Sequence, residues 1–113
     1  MIGEIKEIKI DDKKFEIEKQ GVKMCLEIQS VFIELVYKAG MIDKNADNNE
    51  MATLLMVGMR GKILDDIERI LKKCVISPKM TEKAFNEINP RSVPNLFMEI
   101  YFHNLAEAEK KSS

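Results

Sequence analysis

Tryptophan is missing from this chain of 113 residues, which carries one histidine, two cysteines, three prolines and five glycines. Each scarcity removes a class of function. Cys25 and Cys74 lie far apart with no CxxC pair, and His103 has no second histidine to join it. The chain therefore lacks metal-ligand spacing, and its sequence places no Ser or Cys partner beside the one imidazole. Both cysteines read as buried free thiols among apolar neighbours, and His103 as a structural residue near the end of a helix.

Charge of one sign is also missing. The 18 Lys and Arg against 19 Asp and Glu leave a formal charge of −1, so no broad cationic field draws nucleic acid or anionic lipid. No stretch approaches the ~20 apolar residues of a membrane span. The opening Met1-Ile2-Gly3-Glu4-Ile5-Lys6 reaches charge before a signal-peptide core forms. These absences predict a cytoplasmic chain with no membrane partner.

What is present is a balance of 45% hydrophobic and 33% charged residues, too apolar for a disordered polyampholyte. At 13.0 kDa the chain suffices for one domain that buries roughly two-thirds of its unfolded surface. We expect a single α+β domain over residues 1–109 and a frayed tail over 110–113, because no repeat or interior linker divides the sequence.

The pattern begins as a hairpin. Ile8, Ile10, Phe15 and Ile17 alternate with Glu7, Lys9, Lys14, Glu16 and Glu18, with Asp11-Asp12-Lys13-Lys14 as the connection. Helical spacing follows over residues 22–39: Val22, Cys25, Leu26, Phe32, Ile33 and Val36 recur in steps of three and four, and Ile28, Val31 and Leu35 widen the stripe. A helix so apolar on most sides predicts a central position, with Gly40 as its stop. Residues 41–49 read as a polar loop rich in Asp and Asn, and one of Asp47, Asn48 and Asn49 is placed to cap the next helix.

Residues 51–59 carry no charge at all. A break is expected at Gly58 and Gly61, after which Ile63, Leu64, Ile67, Ile70, Leu71 and Cys74 resume the helical period. Asp65, Asp66, Glu68, Arg69, Lys72 and Lys73 run from acid to base, as the helix dipole favours. Ser77-Pro78 closes that segment. A short helix over 81–88 stops before Pro90, and a last helix starts with Ser92 as its cap and Pro94 in the first turn. Leu96, Phe97, Ile100, Tyr101 and Leu105 give it an apolar face. The expected fold class is α+β, mainly α, with the N-terminal hairpin packed on a cluster of four to five helices.

Catalytic constellations are poor. Asp11-Asp12 and Asp65-Asp66 are adjacent acids with basic neighbours, which read as solvated surface. Gly58-Met59-Arg60-Gly61-Lys62 fails as a phosphate-binding loop, since Ile63 stands where Ser or Thr would hold magnesium. The wider run Val57-Gly58-Met59-Arg60-Gly61-Lys62-Ile63-Leu64 looks instead like the GXXG loop of KH domains, so a KH-like RNA-binding module is retained as an alternative, with near-neutral charge against it. No enzyme, catalytic residue, metal or cofactor is expected.

Methionine carries more information. Residues 41–59 hold Met41, Met51, Met56 and Met59, flexible side chains suited to repacking against apolar partners. In the order of its elements the chain resembles the small tail assembly chaperones of long-tailed bacteriophages and related phage-like particles. Ile63-Leu64-Asp65-Asp66-Ile67-Glu68-Arg69-Ile70-Leu71-Lys72-Lys73-Cys74 and Val93-Pro94-Asn95-Leu96-Phe97-Met98-Glu99-Ile100-Tyr101-Phe102-His103-Asn104-Leu105 are similar to them in texture. The resemblance implies a factor in the cytoplasm of a bacterial host that coats the tape measure protein and helps recruit tail tube protein. It also implies a ribosomal slip near the end of the coding sequence, for which Lys110-Lys111 is the candidate position. Homo-oligomers, or a structural adaptor of a phage-like particle, fit the same pattern. The expected partner-binding residues are Met51, Leu55, Met56, Met59, Phe97 and Tyr101.

Overall fold

A computed structural model describes the backbone of residues 2–38 and 48–106 and the side chains of 2–38 and 53–105. The fold is α+β and mainly α. Residues 41–47 of the predicted 41–49 loop, the stop at Gly40 and the tail at 110–113 lie outside the described residues, whereas Asn48 and Asn49, expected in that loop, are helical.

Strands β1 (Ile5–Ile10) and β2 (Lys13–Glu18) pair antiparallel, with Ile10 opposite Lys13. Their connection is tighter than the four residues expected. Asp11 and Asp12 alone make the turn, at φ 50° and 66°, the doubly left-handed geometry that matches strand twist. Ile8, Ile10, Phe15 and Ile17 are buried as the alternation requires.

The sheet has a third strand that the hydrophobic pattern did not announce. β3 (Val75–Ser77) follows helix α3 directly and pairs antiparallel with the free edge of β2, Ile17 opposite Val75, with a bulge between Glu16 and Ile17. Three residues are too few to display a period of two.

Among the described residues five helices follow the hairpin: α1 (Val22–Lys38), α2 (Asn48–Gly58), α3 (Lys62–Cys74), α4 (Glu82–Glu87) and α5 (Ser92–Tyr101), the last running into a π-helical turn, Phe102–Ala106. Helix α3 is central, with Ile63, Ile67, Ile70, Leu71 and Cys74 all at 1% exposure or less. Arg69 ties it to α1 through Glu27 and bonds Asp66 on its own helix at 3.1 Å.

Helix α1 is less central than its composition suggested. It buries Ile28, Val31 and Leu35, while Val22, Leu26, Ile33 and Tyr37 stand 59–85% exposed. The residues that only widened the sequence stripe are thus the core face, and half of the leading stripe faces solvent.

Ser92 also differs from expectation. The cap position of α5 is Arg91, and the Ser92 hydroxyl donates instead to the Asp11 carboxylate at 2.6 Å. That bond fastens the start of α5 to the hairpin turn 81 positions away. Thr81, by contrast, caps α4 by accepting from the Ala84 amide at 3.1 Å.

Candidate functional site

The α2–α3 junction sets the site. Gly61 precedes α3 at φ 61°, a conformation L side chains avoid, although a Cβ there would meet nothing within 4 Å. Backbone preference, not crowding, selects glycine. Gly61→Ala should lower stability by roughly 1 kcal/mol in urea unfolding, with no change in the cavity described next.

Where α2 ends and α3 begins, the chain turns beside α4 and the segment leading into α5. The four pieces enclose an open cavity of about 270 Å3 lined by Met56, Met59, Leu64, Phe85, Asn86, Ile88, Pro90 and Val93. Leu55 and Met56 are adjacent on a helix and so point about 100° apart; Leu55 is 1% exposed and Met56 half-buried. Met59, past the end of α2, is also half-buried. From α4 come Phe85 and Asn86, with Ile88 just beyond its end and Pro90 two residues further on. Asn86 alone among the lining residues has a polar side chain, and its amide donates to the Glu82 carbonyl at 2.9 Å.

Of the six residues expected from sequence, Met56 and Met59 share this cavity. Leu55 and Phe97 are core residues at 1% and 0% exposure, so neither side chain meets a partner while the fold is closed. Tyr101 belongs elsewhere: its ring stacks on Phe32 of α1 with centroids 4.0 Å apart, and it does not line the cavity. The Met51 side chain lies outside the described residues. Phe85, Ile88 and Val93 were not singled out, although Phe85 and Ile88 sit three apart behind a Thr cap, a spacing that places them on one face.

The retained KH-like loop has Gly58 buried at the end of α2, whereas Arg60, Gly61 and Lys62 are exposed. Lys62 lies 4.0 Å from Asp66, one turn along α3. Among the described residues no group of three His, Cys, Asp or Glu is placed to hold a metal ion, and no helix is long and apolar enough to cross a membrane.

A buried polar cluster secures the opposite end of α5. The Asn104 side chain accepts from the Gln20 amide at 2.7 Å and donates to the Ile100 carbonyl at 2.8 Å. The Cys25 thiol donates to the Gln20 carbonyl at 3.4 Å, and His103 Nε2 lies 3.0 Å from the Glu4 carbonyl, which also accepts from the Lys19 amide at 2.8 Å. These bonds close the last turn onto the start of α1 and the base of the hairpin. Asn104→Ala leaves a buried backbone N–H without its acceptor and should cost roughly 1–3 kcal/mol, measured by chemical unfolding.

Burial pushes the Cys74 thiol up to about 12 from an ordinary 9.0, and burial likewise raises Cys25. Raised in the folded state, the Cys74 group favours folding below pH 9 and loses that contribution as pH climbs from about 9 towards 12. We expect stability about 1 kcal/mol lower at pH 10 than at pH 7 from this group. Cys74→Ala should remove that slope in urea unfolding, and in the native wild type Cys74 should resist thiol reagents until the chain unfolds.

No family model, curated protein or solved structure matches the chain.

Proposed function

We infer that the chain is a tail assembly chaperone that shields apolar helical stretches of a tape measure protein by taking their anchor side chains into the cavity between α2, α3 and α4. The observation that carries this reading is the Met56–Met59–Phe85–Ile88 lining, apolar and open, which reaches the buried core at Val93. A volume of about 270 Å3 is too small for a helix. It suits about two Leu-sized side chains, so a partner helix lies across the mouth and inserts neighbours at i and i+3 or i+4.

Thioether walls fit such a role, since flexible, polarisable side chains adapt to many apolar shapes and a chaperone must meet many segments of one long partner. Recruitment of tail tube subunits belongs to the same proposal and rests on the resemblance in element order. The test is aggregation. A tape measure fragment diluted from denaturant should scatter far less light when equimolar chain is present, and the two should co-elute in gel filtration. A fragment that precipitates equally with and without the chain contradicts the reading.

A further inference from the structure

Helix α1 displays an apolar seam that the fold leaves unpartnered among the described residues. Val22, Leu26, Ile33 and Tyr37 are 74%, 59%, 60% and 85% exposed. At 3.6 residues per turn these four lie within an arc of about 60°, opposite the buried Ile28, Val31 and Leu35. Ile2, 71% exposed, lies at the seam's beginning, its Cδ1 3.6 Å from where a Cβ of Gly21 would stand. Monomeric proteins rarely show so many large apolar side chains in one line.

We propose that this seam is the interface of an antiparallel homodimer, with α1 of one copy laid against α1 of the second. The charges fix the occupant and its direction. Lys23 and Glu34 lie on the same flank of the seam, and neither makes an ion pair among the described residues. A twofold axis between Gln29 and Ser30 sets Leu26 against Ile33 of the second copy and Val22 against its Tyr37. The same axis brings Lys23 to within about 3 Å, along the helix, of Glu34 of the second copy, twice over. Parallel pairing would instead turn the flank of Lys23 and Glu34 towards the opposite flank of the second copy, where Cys25, Gln29 and Val36 offer neither charge a counter-ion.

Area supports a second copy as well. Covering these seam residues on both chains removes on the order of 1,000 Å2, near the lower bound for a specific interface and in the size class of weak, reversible association. No α1 residue lines the Met56–Met59 cavity, so a dimer carries two open cavities. The dimer stands independently of what those cavities bind.

Sedimentation equilibrium of the full chain from 1 to 200 µM tests this. The expected mass rises towards twice the 13.0 kDa of one chain, and Leu26→Glu with Ile33→Glu holds it at one chain with an unchanged circular dichroism spectrum. Lys23→Glu alone and Glu34→Lys alone should each weaken the dimer about tenfold, whereas the double reversal Lys23→Glu with Glu34→Lys restores it. A wild type that stays monomeric at 200 µM overturns the proposal, and this outcome also assigns the seam to another part of the chain or another protein. A dimer indifferent to Leu26→Glu and Ile33→Glu, or singles that the double reversal fails to rescue, overturns it too.

Discussion

Phe97→Ala should destabilise the chain by roughly 3–5 kcal/mol, enough to leave a small domain largely unfolded at body temperature. Phe97 is fully buried, and α5 carries it against the rest of the core beside Leu96 and Ile100, both also at 0% exposure. Removing the ring deletes apolar contacts and leaves a void that surrounding side chains only partly refill, because close-packed interiors relax little. Urea unfolding measures the loss. Phe97→Leu, which keeps most of the volume, should cost less than half as much. Any effect of Phe97→Ala on partner binding should follow the fraction folded and vanish when conditions restore folding.

Met56→Asp with Met59→Asp should behave in the opposite way. Both side chains are half-buried at the rim of the cavity and reach solvent, so their carboxylates can stay hydrated and the fold should survive with a loss of about 1–2 kcal/mol. Binding of an apolar helix should fall at least about a hundredfold, since an unpaired carboxylate facing a buried Leu or Phe must be desolvated. Isothermal titration against a tape measure segment reads the affinity, and thermal unfolding reads the fold. Val57→Asp is the matched control: Val57 is 57% exposed on the same helix and does not line the cavity, so its affinity should remain near wild type.

The contrast between Phe97 and Met56 explains what could be read from sequence. Period-two alternation located Ile8, Ile10, Phe15 and Ile17, and period-3.6 spacing located α3, because one buried face writes itself directly into residue order. Helix α1 defeated the same logic. Val22, Leu26 and Ile33 keep as good a helical spacing as Ile28, Val31 and Leu35, and hydrophobicity alone does not say which face meets the core. Leu55 and Met56 present the same difficulty within the uncharged run: neighbours in sequence, one is core and the other borders open space.

The remaining features depend on distant contacts. β3 exists because β2 has a free edge, not because Val75, Ile76 and Ser77 form a recognisable strand. Ser92 gives up capping because folding brings the Asp11 carboxylate to 2.6 Å. Phe85, Ile88 and Val93 join Met56 and Met59 only after α4 folds back beside the α2–α3 turn, a proximity no local pattern encodes.

The most direct measurement is a titration of chain labelled with carbon-13 at the methionine methyl groups, followed by NMR, with a helical segment of a tape measure protein. Met56 and Met59 line the cavity, whereas Met24 on α1, Met80 before α4 and Met98 on α5 do not. The expected result is saturable movement of the Met56 and Met59 resonances while Met24, Met80 and Met98 stay in place. Movement at Met24 with Met56 and Met59 silent, or no saturable change at any methyl group, would contradict a cavity that receives the partner's side chains.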